Sequence, residues 1–178
     1  MAMPCRPVPV KYFVALLRGL TPPARIVEVL EEVWGAVEYQ SQLYPFDQTD
    51  YYREEMGDSL QRQLIAFAEL RSPEELAAAK VKCIEIEQSF TSQGKRTVNL
   101  DIGYLDHNKI VLASVKGLGQ KIYLSQGIYA DLVARYGNGR YQPFVWTFPD
   151  FKMGRYDPDL AAMRIRYLEQ LKERREPH

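Results

Sequence analysis

The sequence is poor in the residues that most often build metal and redox sites. Its 178 residues include two cysteines and two histidines, and Cys5 and Cys83 lie far apart without metal-ligand spacing. This scarcity excludes a disulfide framework and a His-rich zinc site, and it leaves His107 as the one candidate imidazole base before the terminus. With no secretory segment in view, we expect a reduced, cytoplasmic protein.

An excess charge of one sign and a long apolar run are also absent. Twenty-three basic residues balance twenty-three acidic ones, so no overall field attracts nucleic acid or anionic lipid. No apolar run approaches the roughly 20 residues that a membrane-spanning helix needs. The length and the 46% hydrophobic content predict a soluble protein with one domain over residues 1–178.

The first hundred residues show helical and strand periods in a recognisable order. KYFVALL at 11–17 is apolar on both faces, which predicts a central strand. A helix with Thr21 as N-cap and a stripe from Ile26 to Trp34 follows, and a second helix begins with a capping box at 72–75 and runs toward Gly94. Three further strands are predicted, at 37–43, 61–69 and 97–105. The order β-α-β-β-α-β predicts an α+β fold with a ferredoxin-like core over 11–105.

The remaining residues predict an appended, strand-rich unit over 106–157 and a terminal helix over 158–178. Asp106 is a candidate cap for a short helix over 107–116, and Gly137-Asn138-Gly139 is typical of a hairpin turn between two strand-like pieces. The terminal helix is predicted to be exposed and amphipathic. Its apolar stripe is Leu160, Met163, Tyr167, Leu168 and Leu171, and its basic face is Arg164, Arg166, Lys172, Arg174 and Arg175.

GKRTVNLD at 94–101 is the best candidate for a chemical site. Lys95 and Arg96 stand at the entrance to a strand, and Asn99 and Asp101 follow on one face of it, an arrangement that suits a phosphate or carboxylate ligand. The segment is not a Walker A loop, which would need glycine at Ser89 and Ser or Thr at Arg96. The alternative is a solvated loop beside a wet strand face.

Three weaker candidates come from local clusters. Lys109 and Lys116, on one face of the predicted short helix, and Lys121 could extend a basic rim, or simply form a solvated surface. Five aromatic residues could stack on RNA bases or pack in the core: Tyr104, Tyr123, Tyr129, Tyr141 and Trp146. Four acidic residues share one loop but match no known metal pattern, so no metal site is predicted: Asp47, Asp50, Glu54 and Glu55.

Four motifs in order resemble an uncharacterised prokaryotic family known only as a domain of unknown function, with members of about this length. They are YPFDQTDYY at 44–52, NLDIGYL at 99–105, IYLSQGIYA at 122–130 and FVWTFPDF at 144–151. The resemblance implies a stand-alone bacterial or archaeal protein without an assigned activity. Some members carry a GTP-binding label, which the failed Walker pattern does not support here. It also implies a shared site lined by Asp47, Asp50, Asn99, Asp101, Lys121, Tyr123, Tyr129, Trp146 and Asp150.

Two functional hypotheses follow. The first is a protein, possibly catalytic, that binds a phosphorylated small molecule or nucleotide in a cleft between the core sheet and the appended strands. Lys95, Arg96 and Lys121 would bind the anion, Asn99 would orient it, and Asp101 would act as base or metal ligand, with Lys109, Tyr123 and Tyr129 nearby. The second is a non-catalytic module that binds RNA or protein through the sheet or the terminal helix. A homodimer through a sheet edge suits either hypothesis, and no cofactor is identified.

Overall fold

The computed structural model describes residues 3–19, 23–47 and 52–174. Three features predicted from the sequence, the N-cap Thr21, the loop carboxylate Asp50 and the basic Arg175, lie outside these residues.

Nine antiparallel strands of the described chain form the main sheet. They are β1 (Val10–Arg18), β2 (Val37–Gln40), β3 (Tyr44–Pro45), β4 (Gln61–Arg71), β7 (Val98–Leu105), β8 (Lys109–Ser114), β9 (Ile122–Ser125), β10 (Ile128–Gly137) and β11 (Arg140–Pro143). A separate hairpin consists of β5 (Thr91–Ser92) and β6 (Lys95–Arg96). The helices are α1 (Pro23–Trp34), α2 (Arg53–Met56), α3 (Leu76–Ser89, after a 3-10 turn at Pro73–Glu75), α4 (Pro149–Lys152) and α5 (Asp157–Glu173).

The neighbour order across the sheet is β11-β10-β8-β7-β1-β4-β2, with β3 also on β4 and β9 also on β10. Strand β1 lies between β7 and β4 and is buried along its whole length, as its two apolar faces predict. The predicted hairpin turn is confirmed, because Gly137 pairs with Arg140 and both Asn138 and Gly139 have positive φ. The combination of helices with a large antiparallel sheet confirms the α+β class. The sheet has nine strands in the described chain, whereas the predicted ferredoxin-like core has four.

Each face of the sheet has its own core. On the first face, α1 and α3 pack with residues such as Leu30 and Cys83 against the side chains of Val14, Leu16 and Leu100. The capping box predicted at the start of the second helix is present, with Ser72 and Glu75 bonded reciprocally. Both predicted helices thus lie where their apolar stripes can be buried.

The second face corrects the prediction for the C-terminal helix. The stripe of α5 is present as predicted, but Leu160, Met163 and Tyr167 are buried against Phe13 and Leu64 of the sheet. The helix is therefore a core element rather than an exposed appendage. The error arose because a stripe shows which side of a helix is apolar, not whether another element covers it.

The segment predicted as a short helix after Asp106 is the strand β8. Asp106 does accept hydrogen bonds from the amides of Asn108 and Lys109, at 2.7 and 2.8 Å, but it does so in the tight turn that joins β7 to β8. Helix N-caps and such turns use the same side-chain chemistry. Ile110 and Val111 then point to opposite cores, so the run is apolar on both faces like β1.

Candidate functional site

A gap opens between β7 and β8 soon after their hairpin turn. The two strands pair from Leu105 and Ile110 to Gly103 and Leu112, after which β8 continues along β10 alone. Gly103 permits the close approach at the point of separation, since a Cβ there would lie 2.3 Å from the carbonyl oxygen of Val111. Residues 98–102 of β7 therefore have a strand on one side and, among the described residues, no strand on the other.

Helix α3 pairs with the backbone groups of Leu100 in this gap. Lys80 Nζ donates to the carbonyl oxygen of Leu100 at 2.7 Å, and Glu87 Oε1 accepts from the amide of Leu100 at 2.6 Å. Lys80 and Glu87 are seven residues apart, two helical turns, so they project from the same side of α3. A buried peptide group costs free energy unless it is paired, which explains two charged side chains on the packed side of a helix.

The gap holds a cavity of about 360 Å³, which we call the polar chamber. Four cations and three carboxylates line it, together with Tyr52, Asn99, Ser114 and Phe148: Lys80, Arg96, Lys116 and Lys121, and Glu87, Asp101 and Asp131. Lys80, Glu87, Asn99 and Asp131 are buried. Buried charges are costly unless paired, so such a concentration of them requires a connected network.

A chain of alternating charges runs through the chamber and across the sheet. Its successive contacts are Glu55–Arg96 at 2.8 Å, Arg96–Glu87 at 3.1 Å, Glu87–Lys80 at 3.7 Å, Lys80–Asp101 at 3.9 Å, Asp101–Arg62 at 3.0 Å and Arg62–Asp150 at 3.6 Å. The chain of charges starts in α2 with Glu55, passes α3 on the first face of the sheet and ends in α4 on the second. These ion pairs connect elements on both faces of the sheet to the chamber.

Asp101 lies at the centre of this chain. Burial by itself would raise the pKa of its carboxyl, but Arg62 and Lys80 outweigh burial and lower the pKa below its ordinary value. Arg62 is affected in the opposite sense, because Asp101 and Asp150 raise the pKa of its guanidinium against the effect of burial. Both groups are therefore ionised at neutral pH.

Asn99, on β7, and Lys121, just before β9, line the same chamber. Asn99 accepts a hydrogen bond from Arg96 at 3.1 Å, while its buried amide nitrogen, which helps to lower the pKa of Asp101, has no partner of ordinary hydrogen-bond geometry among the described residues. Lys121 donates to Ser114 at 2.9 Å and pairs with Asp131 at 3.5 Å. Arg96 and Lys121 are thus held in place by neighbouring side chains of the protein.

A second cavity of about 410 Å³ adjoins the first, and we call it the aromatic chamber. Its lining comprises Phe46, Tyr52, Arg62, Asp101, Leu112, Lys116, Phe148, Pro149, Asp150 and Phe151. Five of these residues also line the polar chamber: Tyr52, Asp101, Leu112, Lys116 and Phe148. The two chambers are therefore parts of one cleft.

Four residues predicted for the site lie elsewhere. Lys95 is exposed on the β5–β6 hairpin and donates to the carbonyl oxygen of Glu54 at 3.0 Å. Lys109 pairs with Asp106 in the turn between β7 and β8 and lines a separate groove against α5. Tyr123 and Tyr129 pack edge to face, with ring centroids 5.3 Å apart, on β9 and β10. Of the predicted set, the cleft brings together Arg96, Asn99, Asp101 and Lys121.

The other two sequence clusters do not assemble as a unit. Tyr104 packs with the first core and Tyr141 with the second, so the predicted aromatic platform is divided between opposite faces of the sheet. In the acidic loop, Asp47 pairs with Arg155 and Glu55 with Arg96. Across residues 3–19, 23–47 and 52–174, no group of three or more His, Cys, Asp or Glu side chains is placed to hold a metal ion.

Four charged lining residues were missed from the sequence: Arg62, Lys80, Glu87 and Asp131. A signal existed for three of them. Lys80 follows Leu76 by four residues, and Glu87 follows Cys83 by four, so both lie on the apolar side of α3. Arg62 shares a strand face with Leu64 and Ala66. A charged residue on a side expected to be buried indicates a paired or functional group.

These features define an α+β protein whose antiparallel sheet is split by a cleft lined with charged and aromatic side chains. The chain belongs to the family described as Domain of unknown function (DUF4416), which matches residues 9–167. No curated protein and no solved structure shows a significant match. None of the helices in the described part of the chain has the length and apolar character needed to cross a bilayer.

Proposed function

We propose that the cleft binds a small anionic ligand, a phosphorylated small molecule or nucleotide, with the anion in the polar chamber. The observation that carries the proposal is the lining of that chamber by four cations and three carboxylates. One negative group bound there would balance the charge of the lining. The volume, about 360 Å³, is within the range of small-molecule sites.

The contacts of the cations support binding by a prearranged site. Arg96 is held by Glu55, Glu87 and Asn99, and Lys121 by Ser114 and Asp131, so little side-chain entropy is lost when a ligand enters. Charge-assisted hydrogen bonds to phosphate are among the strongest that side chains make.

The state of Asp101 favours binding over base catalysis. A general base works best with a pKa near the working pH, whereas Arg62 and Lys80 lower the pKa of Asp101. We therefore assign Asp101 the role of holding these two cations at the cleft. The alternative function, an RNA- or protein-binding module, is not supported by a shared aromatic face or by a free terminal helix.

Replacing Lys121 tests the proposal. In calorimetric titrations with inorganic phosphate and ribose 5-phosphate, we expect K121Q to bind about 10- to 150-fold more weakly than the native protein, because one charge-assisted bond contributes roughly 1.5–3 kcal/mol. K95A is the matched control, since Lys95 is exposed and outside the cleft. The proposal fails if the native protein binds neither anion, or if K95A weakens binding as much as K121Q.

We also infer a ferredoxin-like arrangement for the strands β1, β2, β4 and β7. The order β7-β1-β4-β2, antiparallel throughout, with α1 and α3 packed in the same core, supports it. In this description β8, β10 and β11 extend the sheet beyond β7, and the cleft lies where the extension begins.

A further inference from the structure

The aromatic chamber adds a second kind of surface beside the anion site. Phe46 and Tyr52 meet edge to face, with ring centroids 6.1 Å apart, and the guanidinium carbon of Arg62 lies 4.9 Å from the ring centroid of Phe46. Phe148 lines both chambers and is 46% exposed. Covering this exposed ring with another apolar surface would be favourable, because apolar area would be removed from water.

The wall of this chamber also carries a donor and an acceptor. The Nε of Arg62 is buried without a hydrogen-bond partner in the described chain, and the carboxylate of Asp150 lies 3.6 Å from it. Both side chains are at least nine-tenths buried. The carboxylate of Asp150 already accepts a hydrogen bond from Tyr156 at 3.2 Å, so the Nε of Arg62 is the group that lacks one. An alkyl chain placed there would leave this donor unsatisfied, whereas a ring with an acceptor atom at its edge can bond to it.

We infer that the aromatic chamber binds a planar ring of the same ligand whose phosphate occupies the polar chamber. The inference rests on the proposed function and narrows it: the ligand is a nucleotide or another phosphorylated aromatic compound rather than a sugar phosphate. A sugar phosphate would fill the polar chamber and leave Phe148 in water. A ring joined to the phosphate through a sugar can reach it, because the chambers share Tyr52, Lys116 and Phe148.

The experiment compares ligands that differ by the ring. Calorimetric titrations use ribose 5-phosphate, adenosine 5′-monophosphate, uridine 5′-monophosphate and adenosine. Stacking of one base on an aromatic side chain corresponds to roughly a 5- to 150-fold gain in affinity, so we expect the monophosphates to bind more tightly than ribose 5-phosphate by that factor. F148A should remove most of this gain and weaken binding of ribose 5-phosphate much less, because Phe148 contributes no charge to the polar chamber.

Tyr123→Ala is the matched control, because Tyr123 is an aromatic residue with 59% exposure that lines neither chamber. It should leave all four affinities unchanged. Equal affinities for ribose 5-phosphate and the monophosphates, or an equal loss for both in F148A, would overturn the ring assignment and leave the anion site standing. Adenosine binding as tightly as its monophosphate would instead overturn the anion site.

Discussion

At the scale of single residues, Asp101 determines whether the charges around it are stable. Its carboxylate lies between Arg62, which is buried, and Lys80, which is also buried. Removing one partner of a buried ion pair leaves the other uncompensated and destabilises a protein by several kcal/mol. The site and the stability of the fold therefore depend on the same side chain.

We expect D101N to lower the free energy of unfolding by about 3 kcal/mol at neutral pH. The folded pKa of Asp101 is lowered, so its stabilising contribution is complete above the unfolded pKa, near 3.9, and is lost as the pH falls through the folded value. The difference between D101N and the native protein should consequently shrink below about pH 4. Denaturant unfolding measured from pH 7 to pH 3 gives this difference.

D47N provides the comparison for this prediction. Asp47 is an exposed carboxylate whose contact with Arg155 is 3.6 Å, and a surface pair of this kind contributes about 0–1 kcal/mol. If the difference in free energy of unfolding between D101N and the native protein stays constant down to pH 3, Asp101 is not held in its charged form by the cations.

At the scale of elements, two tyrosines attach α5 to the far edge of the sheet. Tyr39 on β2 and Tyr44 on β3 both donate to Asp159, at 2.7 and 2.6 Å. Asp159 is buried in the first turn of α5, where the helix dipole favours a negative charge. This contact links the last helix to strands more than 100 residues earlier in the chain.

D159A should lower the free energy of unfolding by about 3–6 kcal/mol, because two hydrogen bonds to a charged group, at roughly 1.5–3 kcal/mol each, are lost. D157A should cost about 1 kcal/mol or less, since Asp157 stands in the same turn but pairs with the exposed Arg140. Thermal unfolding followed by circular dichroism measures both. If Tyr39→Phe and Tyr44→Phe remain as costly in the D159A background as in the native one, the tyrosines do not act through Asp159.

Local signals predicted many elements, and the errors lie where distant parts of the chain decide. The capping box at Ser72 and the turn at Asn138 specify local geometry within a few residues, so they were predicted. The run from Ile110 to Ala113 is too short for its period to separate a strand from a helix, and its pairing with β10 decides. Sequence alone likewise indicated Arg96, Asn99, Asp101 and Lys121, but not that α3 would bring Lys80 and Glu87 to them.

At the scale of the whole molecule, the two cores share the strands that separate them. Val14 of β1 packs in the first core and Phe13 in the second, and neighbouring residues of β4 and β7 are divided in the same way. We propose that the chain consequently folds as one cooperative domain. A mutation that weakens packing on one face should then lower the stability of the other face as well.

M163A tests this cooperativity, because Met163 is fully buried in the second core while Trp34 lies in the first. In a W146F background Trp34 is the one remaining tryptophan, and its fluorescence reports the opposite face. We expect M163A to lower the free energy of unfolding, as reported by Trp34 fluorescence, by about 2–5 kcal/mol. I165A, at a position 56% exposed on the same helix, should lower it little. A Trp34 transition unmoved by M163A would indicate two independent units.

The pairing of Leu100 with Lys80 and Glu87 has a consequence for behaviour at high concentration. An uncovered strand edge is a template onto which a strand of another chain can add, and β7 would present one along its open stretch. The two side chains of α3 occupy the backbone donor and acceptor of Leu100, in the middle of that stretch. We therefore expect the contacts that shape the cleft also to disfavour the addition of a strand from another chain at Leu100.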